Sequence, residues 1–262
     1  MKRTSRAGAW LALCLGAGYF LVPLAATFEF SLRMRRGEYS LDAYRAVFAD
    51  PLFQQTFSFS VGMALLSIAL GLLLVVPTAY WVHLKAPKWR SVVEFITLLP
   101  LVIPAIVIVF GYLRLYGSES WLPLTGSEET TNLLLVCSYV TLALPYMYRS
   151  VDTGLQTLDV KTLTEAAEVL GAGRLDTLLR VIFPNLTSAL LSGAFLTFAI
   201  VIGEFTIASL LDRPAFGTYL QLMGANRAYE PSALAVIAFA VTWAAMGVIQ
   251  VVGTYNATKR SI

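Results

Sequence analysis

Residues 57–82 read FSFSVGMALLSIALGLLLVVPTAYWV and contain no charged side chain. A helix that crosses the hydrocarbon core of a bilayer needs roughly 20 predominantly apolar residues. A helix also satisfies its own backbone hydrogen bonds, which any segment in lipid must do because no water is present there. This stretch therefore predicts a transmembrane helix, and it places the rest of the chain in or beside a membrane.

The composition of the whole chain agrees with that prediction. The chain has 262 residues, of which 57% are apolar and 13% are charged, whereas a soluble domain carries about 25% charged residues. Hydropathy predicts six spans, at about 9–32, 57–82, 92–116, 133–148, 186–211 and 233–255. The loops between them are too short for a second soluble domain. We expect a single all-α transmembrane domain over residues 1–262, without an ATPase domain of its own.

The distribution of basic residues predicts the orientation. With both termini in the cytoplasm, twelve Lys and Arg residues lie inside and seven lie outside, as the positive-inside rule favours. The first span follows Lys2, Arg3 and Arg6 like a secretory signal. However, its apolar stretch is too long and no small-residue cleavage site ends it, so we expect a retained helix.

Several classes of site are excluded by composition. The net charge of +3 is thinly spread, and no basic block of the kind that binds nucleic acid is present. Cys14 and Cys137 lie in apolar runs and are expected to be buried apolar residues rather than a disulfide or metal pair. His83 is the sole histidine. We expect no metal, no cofactor, no phosphate-binding loop and no catalytic residue, so the chain is not expected to be an enzyme.

The inside loop at about 150–185 is the most patterned polar segment. Thr162 and Glu165 fit a capping box, with the hydroxyl at the N-cap and the carboxylate three residues later. The spacing of Leu163, Ala166, Ala167 and Leu170 predicts one helix face. Residues 171–173 read Gly-Ala-Gly, which predicts the end of that helix. A second helix is expected over 175–182, ended by Pro184. The pattern fits both a packed hairpin and a docking element for a soluble partner.

This loop resembles the EAA loop of bacterial ABC importer permeases. The resemblance rests on Glu165-Ala166-Ala167, then three residues, Gly171, nine residues and Val-Ile-Phe-Pro at 181–184. The usual form ends in Ile-x-Leu-Pro, so Val181 and Phe183 depart from it but remain apolar. The six predicted spans and the position of the loop between the fourth and fifth also match that family. The resemblance implies the six-helix type I permease fold.

The resemblance also implies a set of partners. Two permease subunits, identical or homologous, pair in the bacterial inner membrane, and two cytoplasmic ATP-binding subunits drive them. An extracytoplasmic solute-binding protein delivers the solute. Carried over to this sequence, the loop residues that couple to the ATPase are Glu165, Ala166, Ala167, Leu170, Gly171 and Pro184.

The residues expected along the solute pathway lie in the third and fifth spans. Glu204 is a charged residue in an apolar span, where it needs a function or a partner because burial there costs about 2.5–3.5 kcal/mol. Pro100 and Pro104 interrupt the third span and indicate either a kink or a gate. Tyr112 fits either the pathway or the interfacial belt of aromatic residues. A structural ion pair or hydrogen bond remains the alternative role for Glu204.

Three segments favour a solute class. Residues 100–113, the loop motif TEAAEVLGAG and the segment GEFTIASLL are similar to spermidine/putrescine-type permeases and to their ferric-iron, phosphonate and opine relatives. Glu204 suits a cationic polyamine by charge, so a polyamine-like solute is favoured. The alternative is a secondary transporter or channel that works alone, although such carriers often show inverted repeats and several intramembrane charges.

Overall fold

Helices form almost all of the chain. The computed structural model describes residues 6–258, and within that range no β-strand occurs. A lone antiparallel bridge pairs Arg35 with Glu38. The predicted all-α architecture is therefore confirmed. The chain divides into two compact units, and helices α3, α12 and α13 contribute residues to both of them.

The first unit ends at Gln54 and resumes over Tyr219–Val241. Its helices are α1 (Arg6–Ser31), α2 (Asp42–Ala49), the start of α3 (Pro51–Lys85), most of α12 (Phe216–Asn226) and the first part of α13 (Glu230–Thr258). Helix α2 buries Ala43 and Val47 on one face, four residues apart. The Tyr219 hydroxyl donates to the Asp50 carboxylate over 2.7 Å.

The second unit comprises Gln55–Thr218 and resumes at Thr242. After α3 and a short 3₁₀ turn at Pro87–Trp89, its helices are α4 (Arg90–Val102), α5 (Ala105–Tyr116), α6 (Glu128–Gln156), α7 (Val160–Val169), α8 (Arg174–Asp176), α9 (Phe183–Asn185), α10 (Thr187–Gly203) and α11 (Thr206–Leu210). A π-helical segment, Thr177–Ile182, joins α8 to α9.

Four of the described helices, α1, α3, α6 and α13, are long and apolar enough to cross a membrane, and two bent helix pairs bring the number to six if each pair forms one span. The helices extend past the predicted spans: α6 covers Glu128–Gln156, whereas hydropathy marks only 133–148. Hydropathy detects the apolar centre of a helix, while the polar turns at its ends also form backbone hydrogen bonds.

The third predicted span is not one helix. Helices α4 and α5 meet at an angle of 98°. Pro104 occupies the N-cap of α5, and Ile103 before it is extended, with φ −89° and ψ 117°. A residue that precedes proline is driven away from the helical region by contact with the proline ring. Pro100 lies inside α4 and does not break it. The structure therefore divides the predicted span 92–116 into two helices that meet next to Pro104.

The fifth predicted span, 186–211, is also divided. Helix α10 ends at Gly203, Glu204 is extended with φ −76° and ψ 130°, and the chain becomes helical again at Thr206. Glu204 therefore lies at a break between two helices of the predicted span. Cys14 and Cys137, expected to be buried, are both exposed on the surface of this chain, where an apolar thiol can face lipid.

Two apolar clusters hold the second unit together. One joins the α3, α6 and α10 ends nearest the 150–185 loop, with Val76, Met147 and Leu186 at its centre. The other joins α5, α6, α10 and α11 around Val109, Leu135 and Ile207. Glycines allow α6 and α10 to approach closely: a Cβ on Gly154 would lie 2.5 Å from the Ala189 Cβ, and one on Gly193 would lie 3.3 Å from Met147 Cγ.

Candidate functional site

Helix α7, the centre of the patterned loop, begins earlier than predicted. It starts at Val160, and Asp159 is its N-cap. The Asp159 carboxylate accepts the Thr162 hydroxyl over 2.7 Å and the Thr162 backbone N–H over 3.2 Å. These two hydrogen bonds stabilise the charged carboxylate and lower the pKa of Asp159 below its usual range. The capping box predicted at Thr162 is wrong, because Asp159 already caps the preceding turn.

The end of α7 forms as predicted. Gly171 has φ +83°, in the left-handed region that favours glycine. Its N–H donates to the Glu168 carbonyl over 2.9 Å, and the Ala172 N–H donates to the Ala167 carbonyl over 2.9 Å. This pair of bonds is the Schellman motif, which satisfies carbonyls left free at a helix end. A Cβ on Gly171 would meet nothing within 4 Å, so its backbone angle rather than crowding selects glycine.

One face of α7 anchors the loop to the membrane helices. Its buried residues are Val160, Thr164 and Ala167, and Val160 belongs to the apolar cluster around Met147. The hydroxyls of Thr164 and Tyr80 lie 3.0 Å apart and form a hydrogen bond between α7 and α3. A buried hydroxyl that finds such a partner avoids the cost of desolvation without compensation. The helix is therefore fixed in its position against the bundle.

The other face of α7 is exposed and mostly polar, but three exposed apolar side chains lie at its end and just after the turn. Val169 is 88% exposed, Leu170 is 87% exposed and Leu175 is 69% exposed. Ala166 and Glu165 lie on the same open side, where Glu165 pairs loosely with Lys161 at 3.8 Å. The predicted face of Leu163, Ala166, Ala167 and Leu170 is thus split by burial. We refer to Val169, Leu170 and Leu175 as the apolar tip of the loop.

The second half of the loop differs from the predicted helix over 175–182. Residues 174–185 remain helical, with a π-helical segment at Thr177–Ile182. Pro184 lacks an N–H and its ring would collide with the carbonyl four residues earlier, which a wider turn relieves. Pro184 is inside the helical path rather than at its end. The direction changes after Asn185, where the helix pair bends by 79°.

A charged network lies near the same end of the bundle. The Asp152 carboxylate is buried, with 4% of the residue exposed. It accepts the Arg90 guanidinium over 2.8 Å and the Gln156 amide over 2.6 Å. Arg90 also pairs with Glu94 at 3.0 Å. The network ties α4 to α6, and an arginine and an aspartate 62 residues apart in sequence give no local signal of it.

Glu204 performs a local structural task at the break between α10 and α11. It is 8% exposed, and its carboxylate accepts the N–H groups of Ile207 over 2.8 Å and Ala208 over 3.1 Å. Free N–H groups at a helix start attract a carboxylate in this way. Gly217 packs against the Glu204 backbone, because a Cβ there would lie 2.2 Å from the Glu204 carbonyl oxygen.

The expected pathway residues are not gathered at one point. Pro104 lies at the start of α5, and Pro100 lies in α4 beyond the 98° bend. Tyr112 is half-buried on α5 against Tyr116, with ring centroids 6.0 Å apart. Glu204 lies at the break between α10 and α11. The Tyr139 hydroxyl is buried and forms no hydrogen bond among the described residues. The segments that follow the two breaks, α5 and α11, do pack together.

Sequence reasoning missed three residues: Asp159, which caps α7, Tyr80, which bonds α7 to α3, and Asp152, which joins α6 to α4. Aspartate is among the favoured N-cap residues, so Asp159 carried a signal equal to that of Thr162. Tyr80 is 84 positions from its partner Thr164, and no local pattern connects them.

A family model described as the binding-protein-dependent transport system inner membrane component matches residues 43–253. A probable molybdenum ABC transporter permease protein of Haloferax volcanii is 33% identical over 58% of this chain and 56% of its own length. A probable sulfate transport system permease protein of Prototheca wickerhamii is 25% identical over 93% and 98%. The spermidine/putrescine transport system permease protein PotB of Escherichia coli K12 is 26% identical over 66% of each chain.

Solved structures agree on the fold. A bacterial ABC transporter involved in the import of the acidic polysaccharide alginate aligns with a TM-score of 0.70 at 14% identity, over 93% of this chain and 94% of that chain. An amino acid ABC transporter with histidines aligns with a TM-score of 0.55 at 19% identity, over 81% and 97%. The chain has the type I permease fold of ABC transporters, and it belongs to the family of inner-membrane components of binding-protein-dependent transport systems.

Proposed function

We propose that this chain is one of two permease subunits of an ATP-driven importer, and that residues 162–184 transmit the movement of the ATP-binding subunits. The observation that carries the proposal is the apolar tip, in which Val169 and Leu170 are almost fully exposed at the end of a helix anchored by Tyr80. Exposed leucines at the end of a rigid element mark a contact surface, because burying them in a partner releases water from apolar area.

The roles of the individual loop residues follow from their positions. Ala166 and Gly171 are small and exposed, so a partner surface can approach the backbone between them. Glu165 is free to leave its loose pair with Lys161 for a basic group of the partner. Ala167 and Pro184 act from the inner side: Ala167 packs the helix on the bundle, and Pro184 shapes the π-helical return.

The assembly that fits this loop contains two cytoplasmic ATP-binding subunits, a second permease subunit, identical or homologous, and an extracytoplasmic solute-binding protein. The proposed location is the bacterial inner membrane with both termini in the cytoplasm, counting each bent helix pair as one span. The bias of Lys and Arg supports this orientation. Membership of the transport family disfavours the alternative of a secondary transporter or channel that acts alone.

The solute pathway is proposed to pass the two breaks of the bundle. Pro104 and Glu204 each end one helix and start another, and the segments after them pack on each other. Pro100 and Tyr112 flank the first break on α4 and α5. A broken helix can change its bend more easily than a continuous one, since fewer backbone hydrogen bonds must be exchanged. We therefore assign the breaks to the gate.

The solute class favoured by the sequence is a polyamine, with ferric iron, phosphonate or opine as the other members of the group. The physical argument for a polyamine is that a free carboxylate at Glu204 would attract a cation. That carboxylate is committed to two backbone N–H groups, so it offers less attraction to a passing cation. The relatives named for molybdenum, sulfate and spermidine/putrescine show that this family includes members named for anions and for cations.

The test is co-purification of the chain with the ATP-binding subunit of its transport system. Leu170→Asp should remove the ATP-binding subunit from the purified complex and leave the permease in the membrane. Leu122→Asp places the same charge on an exposed leucine of the segment between α5 and α6 and should retain the complex. Normal co-purification of the Leu170→Asp variant would contradict the coupling role, as would an active chain that purifies without any ATP-binding subunit.

A further inference from the structure

A groove of about 600 Å³ runs between α4, α6 and α10 within the second unit. Leu98 and Leu101 form its apolar wall on α4. The opposite side carries hydroxyl groups from α6 and α10: Ser150, Thr153, Thr157, Ser188 and Ser192. A wall of hydroxyls is unusual where lipid alone is the neighbour, because each hydroxyl then lacks a partner other than its own helix.

The groove lies at the end of the bundle that carries the loop. Thr153 and Thr157 are at the last turns of α6, immediately before α7, and Ser188 is in the first turn of α10, immediately after α9. The floor is narrow because Gly154 touches Ala189 where α6 and α10 meet. In the proposed orientation, this position is the cytoplasmic end of the pathway.

Of the described residues that line this groove, Arg149 alone carries a charge. Among the described residues, no carboxylate pairs with it, whereas Arg90 on the adjacent helix is held by both Glu94 and Asp152. An arginine near a membrane is costly without a counter-charge, and such residues commonly mark an ion or substrate pathway. Arg149 therefore gives the groove a net positive charge that this part of the chain does not neutralise.

The hydroxyl groups beside Arg149 are available for binding. The Thr157 hydroxyl donates to the Gly154 carbonyl over 2.8 Å, but the hydroxyl groups of Ser150, Thr153, Ser188 and Ser192 make no hydrogen bond within the part of the chain that the structure describes. A guanidinium offers several N–H donors in a plane, and hydroxyls add donors that rotate to suit an acceptor. This combination is complementary to a group whose oxygen atoms carry negative charge.

We propose that the groove is the cytoplasmic exit of the solute pathway and that Arg149 selects solutes with an oxyanion or carboxylate group. The proposal rests on the permease function above and narrows its substrate class. The guanidinium attracts the negative group, and the four free hydroxyls replace part of its hydration shell as it passes. A polyamine, which carries only positive groups, is repelled by Arg149 and finds no acid in this groove.

The test measures the charge preference of the groove with two thiol reagents, without knowledge of the solute. Ser192→Cys is introduced into the full-length chain after Cys14 and Cys137 are replaced by Ala. The complex is then studied in inside-out membrane vesicles. We compare the rates at which the introduced cysteine reacts with two methanethiosulfonates, one carrying a sulfonate and the other carrying trimethylammonium. For each protein we take the rate with the anionic reagent divided by the rate with the cationic reagent. We expect this ratio to be about fivefold higher in the Ser192→Cys protein than in the protein that also carries Arg149→Gln.

The matched control is Arg114→Gln on α5, which removes another arginine without a carboxylate partner in the described structure, outside the groove. It should leave the ratio of rates unchanged. An equal ratio with and without Arg149 would overturn the proposal, and would be the result if a lipid phosphate or a partner carboxylate neutralised Arg149. Failure of both reagents to react would also overturn it, because the groove would then be covered. Neither result affects co-purification of the ATP-binding subunit, which tests the permease function separately.

Discussion

The hydroxyl groups of Tyr80 and Thr164 lie 3.0 Å apart and join α3 to α7 across 84 residues of sequence. Thr164 is buried and also donates to the Val160 carbonyl over 2.7 Å. Because its single proton is used there, Tyr80 donates to Thr164. This bond is the one polar side-chain contact from α7 to the membrane helices among the described contacts.

Removing that tie should loosen the loop without unfolding the protein. Tyr80→Phe keeps the ring and should lower the free energy of unfolding by about 1 kcal/mol. Transport per ATP hydrolysed should fall, because a less firmly held loop transmits less of the movement of the ATP-binding subunit to the membrane helices. Tyr19→Phe, on a fully open face of α1, is the control. Equal coupling in the Tyr80→Phe and Tyr19→Phe proteins would contradict the anchoring role.

Gly171 should accept few replacements. Its φ of +83° costs about 1–2 kcal/mol for a residue with a Cβ, and a β-branched residue suffers most. Gly171→Val should therefore distort the apolar tip, retain the subunit in the membrane and reduce ATP-driven uptake. Gly171→Asn should be milder, because Asn visits the left-handed region more readily. Gly173, with φ −72°, provides the comparison: Gly173→Ala should keep uptake near normal.

The buried network around Asp152 should contribute more to the free energy of unfolding than an exposed ion pair does. Asp152→Ala leaves Arg90 with Glu94 alone and removes two hydrogen bonds to a charged group, at a cost of about 2 kcal/mol or more. Asp176→Ala removes an exposed pair with Arg180 and should cost less than about 1 kcal/mol. Thermal unfolding of both variants in detergent compares them, and a similar shift for the two would refute the ranking.

The N-cap of α7 should fail in acid. The pKa of Asp159 is lowered by the two hydrogen bonds from Thr162. Its stabilising effect is therefore complete above the ordinary carboxyl pKa of about 3.9 and is lost as the pH falls through the lowered value. The protection of the Thr162 amide, which is its intrinsic exchange rate divided by its measured exchange rate, should fall in that acidic range. Asp159→Asn, which caps without titrating, should abolish the pH dependence, and an unchanged profile in this variant would exclude Asp159 as its source.

Two substitutions of Glu204 distinguish its role as a helix cap from a role of its charge in the solute pathway. Glu204→Gln keeps an oxygen acceptor and should retain most of the uptake. Glu204→Ala leaves the buried N–H groups of Ile207 and Ala208 unpaired, which costs about 1–3 kcal/mol, and should lower the yield of folded protein. Loss of uptake in Glu204→Gln with normal stability would instead restore the carboxylate as a solute contact.

The sequence predicted the helices through their apolar runs, and it predicted the loop turn through Gly171, because both signals are local. It did not distinguish Pro100 from Pro104, since each removes one backbone hydrogen bond, yet the helix continues through Pro100 and ends at Ile103, before Pro104. The break at Glu204 has no proline to announce it. The Tyr80–Thr164 and Arg90–Asp152 contacts join distant segments, so only the folded chain reveals them.

The contact of Gly154 with Ala189 has a mechanical consequence for the loop. The two ends of the loop are attached to α6 and α10, and at Gly154 these helices have no room for even one more methyl group. They cannot slide past each other without losing that contact. Under the proposed function, a force that an ATP-binding subunit applies at Leu170 is therefore expected to move the adjoining ends of α6 and α10 together.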